Sequence, residues 1–252
     1  GSITTTGASS YGIINYGDTN TTTVSGSITT TGYESYGIYN WGKYNNTTMS
    51  GSITTTGYKS YGIHNEGGKN ITTVSGSITT GDVVEGTGEF ASGIYNDGTY
   101  SKTTVSEAGS ITTTGEKAHG IHNVRWNNTT TVAGIISTVG SSSYGILNFG
   151  NSNTTTVSGS IETTGENSHG IYNWDDNNTT TISGTVKATG TKSAALYNES
   201  GSGNTFTLNE GATIIGDILA KDSTNNAYDA TNSKLIFNLG ASTSYAYSVS
   251  GK

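Results

Sequence analysis

The chain has no cysteine and no proline, and only 12% of its 252 residues are charged. Without cysteine there is neither a disulfide framework nor a thiolate metal site. Without proline every residue past the first can donate a backbone N–H to a ladder. Eleven Lys and Arg against eighteen Asp and Glu leave a net charge of −7. That disfavours nucleic acid, whose binding rests on cations that neutralise phosphates. No run approaches the ~18 apolar residues of a membrane-spanning helix. Only 31% of residues are hydrophobic, whereas an ordinary domain is about 45–50% apolar, so a conventional single-centre core is excluded. Disorder fits no better, because disordered chains are poor in aromatics and this one carries 16 Tyr, 3 Trp and 4 Phe. What dominates is 47 Thr and 37 Gly.

These residues repeat. Gly-Ser-Ile-Thr-Thr-Thr-Gly occurs at residues 1–7, 26–32, 51–57 and 109–115, with looser copies elsewhere. Its apolar anchor falls at Ile3, Ile28, Ile53, Ile78, Ile111, Ile136, Ile161, Val186 and Ile214. Successive steps are 25, 25, 25, 33, 25, 25, 25 and 28. Ten residues after each of the first eight anchors, outside the insertion, comes Gly-Ile-x-Asn or a close variant, as at Ile38 and Asn40. Eleven further on ends a Thr-Thr-apolar run, as at Met49. The step of 33 splits into six extra residues near 81–88 and two between Val105 and Ile111.

Three short segments rich in β-branched residues per 25, punctuated by Gly and Asn, predict the rung of a parallel β-solenoid. The fold expected is all-β, about nine rungs, with repeats over 1–208 and irregular terminal rungs or a cap of the same solenoid over 209–252. Period-two alternation turns Thr22, Val24, Ile28 and Thr30 inward, and Thr21, Thr23, Thr29 and Thr31 outward. The Asn15-to-Asn198 column points inward and ladders amides along the axis. A second column, Asn20 to Asn178, turns the chain at the next corner, and Asn tolerates the left-handed conformation that corners need.

Rings flank Gly-Ile-x-Asn in three columns: before the Gly (Tyr11, Tyr36, His119), between Ile and Asn (Tyr39, Tyr95, Tyr172), and after Asn (Tyr16, Trp41, Trp174). The middle column has outward parity, so Tyr39, Trp41, Tyr95, Tyr172 and Trp174 are candidates for a surface that contacts glycan or protein. The competing reading is that the rings stiffen the sheet by stacking. The four His occupy places held elsewhere by Tyr and read as aromatic substitutes. No metal or cofactor motif is present. Glu66 and Asp97 share one place in consecutive rungs, near the separation of a retaining glycosidase pair, and are the catalytic candidates if there is a catalytic site.

The serial Gly-Ser-Ile-Thr-Thr-Thr-Gly and Tyr-Gly-Ile-x-Asn rungs, followed by the Gly-Ala-Thr-Ile-Ile-Gly-Asp-Ile passage at 211–218, resemble the passenger domains of bacterial autotransporters, the type V secreted proteins. The resemblance covers essentially the whole chain. It implies a right-handed parallel β-helix displayed outside the cell on the bacterial surface, and a non-enzymatic role in adhesion, self-association or biofilm formation. Partners would be a host-cell surface, a glycan or another copy. The outer membrane would be reached only through a translocator outside this segment. The chain starts within a repeat, which is expected of a piece of a longer protein. Two other functions compete: ice binding through outward Thr-x-Thr pairs such as Thr29 and Thr31, which Ser137, Val139, Glu162 and Lys187 interrupt, and polysaccharide cleavage by Glu66 and Asp97.

Overall fold

Thr, Ile and Val restrict χ1 and favour extended backbone, while the glycines and polar residues between them accept corners. The computed structural model, which describes residues 1–81, 91–221, 232–238 and 240, places these segments in three parallel sheets of nine strands each, with no helix among the described residues. Sheet A runs from Ser2–Thr6 to Thr213–Ile215, sheet B from Ile13–Asn15 to Asp217–Ala220, and sheet C from Thr21–Val24 to Lys234–Phe237. One strand of each makes a rung, and the nine rungs form a β-solenoid. Equivalent residues pair directly: Ile3 with Ile28, Ile13 with Ile38, Val24 with Met49.

The interior is a stack of triplets. Ile53 from sheet A, Ile63 from sheet B and Val74 from sheet C are at most 1% exposed, and the pattern recurs through the rod. Each such side chain contributes roughly 1.5–3 kcal/mol on burial. Inward threonines flank the apolar column, and their hydroxyls are consumed locally except at Thr180, whose Oγ1 has no partner among the described residues. Thr30, Thr55, Thr138 and Thr163 donate to the carbonyls of Ser35, Ser60, Ser143 and Ser168 at 2.8–2.9 Å. The low hydrophobic fraction is thus met by a narrow column in place of a wide core.

The Asn ladder is realised from Asn15 to Asn173. Each Nδ2 donates to the Oδ1 of the next rung at 2.7–2.9 Å. From Asn15 to Asn148 it also reaches an inward Thr of sheet C, as Asn123 does to Thr130 at 3.1 Å. The last expected step fails. Phe206 takes the inward place of that Thr in rung 8, Asn198 turns to Ser233 at 2.8 Å, and Asn173 Nδ2 has no partner among the described residues.

The left-handed corners also differ from expectation. Neither Asn column adopts positive φ; the residues just before the second column do, among them Tyr44 (58°), Lys69 (61°) and Ser152 (58°). The Asn instead staples the turn. Asn45 donates to the Gly42 carbonyl at 2.8 Å and accepts the Asn20 amide at 2.8 Å. At the corner between sheets A and B a serine column does the same: Ser35 Oγ accepts the Ser10 amide at 3.1 Å and donates to the Gly7 carbonyl at 2.7 Å. The glycine that opens sheet B is required by close approach. A Cβ on Gly120 would lie 2.3 Å from Ile136 Cγ2 and 2.5 Å from the Gly145 carbonyl oxygen.

The insertion expected near 81–88 lies, apart from Gly81, outside the described residues; the strands on either side of it keep register. The two-residue insertion is a tight turn in which the Gly109 amide donates to the Ser106 carbonyl at 2.8 Å. The described part of 209–252 extends the same three sheets, with Val186 paired to Ile214, Leu196 to Ile218 and Leu208 to Phe237. In this ninth rung Gly216 alone, at φ 118°, joins the strands of sheets A and B. The expected elements beyond it, including Tyr245 to Gly251, lie outside the described residues.

Candidate functional site

The middle ring column does not form an exposed ladder. Tyr39 is 9% exposed and Tyr172 4%, and Tyr95 is half-buried. Parity holds, since these side chains leave the outer face of sheet B; what it cannot report is a cover. The corner between sheets A and B carries the pre-Gly rings back over that face, and the two columns pack together. Tyr36 stacks on Tyr61 at 5.1 Å and meets Tyr39 edge-on at 5.4 Å and 80°. Tyr144 stacks on Tyr172 at 4.6 Å and 8°. The result is a second, aromatic core outside the sheet, worth roughly 0.5–1.5 kcal/mol per ring pair beyond area burial. Burial pushes the Tyr36, Tyr39 and Tyr172 hydroxyls to higher pKa; for Tyr39 the hydrogen bond to Glu66 acts in the same direction.

All four histidines lie in this spine, 1–8% exposed. Two do more than replace Tyr. His119 Nδ1 accepts the Tyr144 amide, and His169 Nδ1 accepts the Ala194 amide, both at 3.0 Å. Those bonds require neutral imidazole at Nδ1. Burial lowers the pKa of His64 and His122 to about 3 and of His169 to about 4, and holds His119 well below its ordinary value.

Exposed rings gather elsewhere. Of the nine among the described residues, seven (Tyr16, Trp41, Tyr44, Tyr100, Trp126, Phe149 and Trp174) lie on the segments that turn from sheet B to sheet C; Tyr33 and Phe237 are the exceptions. Tyr16 packs on Trp41 at 5.5 Å and Phe149 on Trp174 at 5.3 Å. Lys69 sits over the Tyr44 ring at 5.0 Å. Beside this ridge the spine is notched: Leu147 stands where other rungs place a ring, and a groove of about 420 Å³ opens between Tyr95 and Trp174, walled by Tyr144 and Phe149. Of the five candidate contact residues, then, Trp41 and Trp174 are presented to solvent, Tyr95 lines the groove, and Tyr39 and Tyr172 serve the spine. Tyr44, Tyr100 and Trp126 were missed. They lie off the Gly-Ile-x-Asn columns, and their common corner becomes apparent only when the 11-residue step to sheet C is folded.

Glu66 and Asp97 occupy successive rungs, each amide bonded to the Asn carbonyl of the rung before. Glu66 accepts from the Tyr39 hydroxyl in rung 2, and Asp97 pairs with Arg125 Nε in rung 5 at 2.8 Å. Their partners thus lie on opposite sides along the axis. Among the described residues no group of three His, Asp or Glu is placed to hold a metal ion, and no helix is long and apolar enough to cross a membrane. No protein-family model, curated protein or solved structure matches the chain.

Proposed function

We propose that the chain is the rod of a bacterial surface protein of autotransporter-passenger type, a structural and adhesive stalk that contacts host cells, glycans or further copies through its aromatic corner. The observation that carries this reading is the concentration of seven exposed rings on one of three corners. Exposed rings scattered singly need no explanation, but an aligned group does, and Trp and Tyr supply most of the binding energy where proteins meet partners. A rod whose backbone amides are spent between rungs holds that corner rigid, so little entropy is lost on contact. The polysaccharide-cleaving alternative would need Glu66 and Asp97 to converge on one bond, whereas each carboxylate is engaged by a partner in a different rung.

The test is binding of the displayed rod to cultured cells, a glycan array and itself, before and after the combined Trp41→Ala, Trp126→Ala and Trp174→Ala substitutions. These side chains are 39–52% exposed, so the fold should tolerate their loss. At about 1.4 kcal/mol per tenfold, loss of even one hot-spot ring should weaken binding roughly tenfold or more. Unchanged binding would remove the corner from the account, and inertness of the parent in all three assays would leave only a spacer.

A further inference from the structure

In sheet A the outward column that runs through Thr29, Thr54 and Thr112 loses its threonines after rung 5, where Ser137, Glu162 and Lys187 follow in register. Sheet C does not. From Thr23 to Thr207 a threonine fills the same outward place in eight successive rungs, paired directly with its neighbours and with no register shift. Two residues earlier, Thr also fills the outward place in rungs 5 to 8, from Thr129 to Thr205. The inward residues between them, such as Thr130 and Thr180, are buried, so both columns stand on one face.

We infer that the outer face of sheet C, centred on rungs 5 to 8, binds ice. Along the axis its hydroxyls repeat at the strand spacing of about 4.8 Å, and along each strand at two residues, about 6.6 Å. Both are near the oxygen repeats on a prism face of hexagonal ice. The inward hydroxyls of Thr130 and Thr155 accept from the Asn123 and Asn148 side-chain amides; the outward ones of these two columns have no hydrogen-bond partner within the protein among the described residues. β-Branching fixes χ1, so each place offers a hydroxyl and a methyl in set positions, and many weak contacts form together without ordering the surface first. A strongly charged face would hold its own hydration shell. Over rungs 5 to 8 these two columns contain no charge, whereas the equivalent sheet A face carries Glu162 and Lys187. This inference stands apart from adhesion, because it uses a different face and no ring.

The experiment measures thermal hysteresis of the full chain and its partition into slowly growing ice. Thr156→Tyr and Thr181→Tyr disturb the sheet C face, and Thr54→Tyr and Thr112→Tyr serve as matched changes on sheet A. Far-UV circular dichroism establishes that each variant keeps its strands. The expected result is hysteresis and ice partition in the parent, most of both lost in the sheet C variants and kept in the sheet A variants. Absence of both from the parent, or equal loss from the two pairs, would overturn the assignment.

Discussion

Lowering the pH from 7 to 4 should destabilise this rod by several kcal/mol, with rung 5 failing first. The four spine histidines are held neutral by burial, with folded pKa values of about 3 for His64 and His122 and about 4 for His169, and His119 well below its ordinary value. An unfolded His titrates near 6.5. Between the two values the unfolded chain binds the extra proton, so the stabilisation is fully present above about pH 6.5 and is lost as pH falls toward the folded values. At about 1.4 kcal/mol per unit, His64, His122 and His169 each cost on the order of 3 kcal/mol at pH 4, and His119 acts in the same direction. Rung 5 carries both His119 and His122, which repel once charged. Protonation at Nδ1 would also cancel the bonds His119 and His169 accept from Tyr144 and Ala194. Thermal melts from pH 7 to 4 should show a steep fall, flattened by the double variant His64→Tyr and His122→Tyr, since Tyr fills that column in rungs 2, 4, 7 and 8. A melting temperature that does not change across this range would contradict the buried spine.

Cutting the Asn ladder at its centre should cost nearly as much. Asn123→Ala removes the acceptor for Asn96 at 2.8 Å and the donors to Asn148 at 2.9 Å and Thr130 at 3.1 Å. All four residues are at most 1% exposed, so three buried polar groups lose a partner, each at roughly 1–3 kcal/mol. The sum, about 3–9 kcal/mol, should appear in denaturant unfolding. The double change Asn123→Ala with Asn148→Ala should cost less than the two single costs together, because the shared bond is lost only once. A loss below about 1 kcal/mol would mean that the ladder merely lines the interior.

What could be read from the residues alone was whatever repeats by direct stacking. The inward columns, the steps of ten and eleven residues and the Asn ladder all follow from one register, and Ile28, Ile38 and Met49 lie where the pattern places them. Less legible was anything produced when one segment folds back over another. Parity sends Tyr39 off sheet B but is silent about Tyr36 arriving on top of it. A histidine in a tyrosine column looks like a substitute until its nitrogen is found on the amide of the next rung. The ninth rung departs from the period because Gly216 alone links sheets A and B where the other rungs without an insertion use five to seven residues, so Ile218 follows Ile214 by four rather than ten. Composition likewise could not separate the two threonine faces, since both are spelled Thr-x-Thr and only the register down the rod distinguishes them.

The stacking of residues 25 apart is the claim on which all else rests, and a chain without native cysteine permits a direct measurement. Thr131 and Thr156 are direct partners in adjacent rungs, and Thr181 is the next step along. Adjacent strands bring Cα atoms to about 4.8 Å, within the roughly 4.4–6.8 Å that a disulfide spans, whereas two rungs separate them by about 9.6 Å. Mild oxidation of the Thr131→Cys, Thr156→Cys variant should give an intramolecular disulfide in high yield, and the Thr131→Cys, Thr181→Cys variant should stay reduced. Equal yields, or a bond only in the second, would contradict the 25-residue rung.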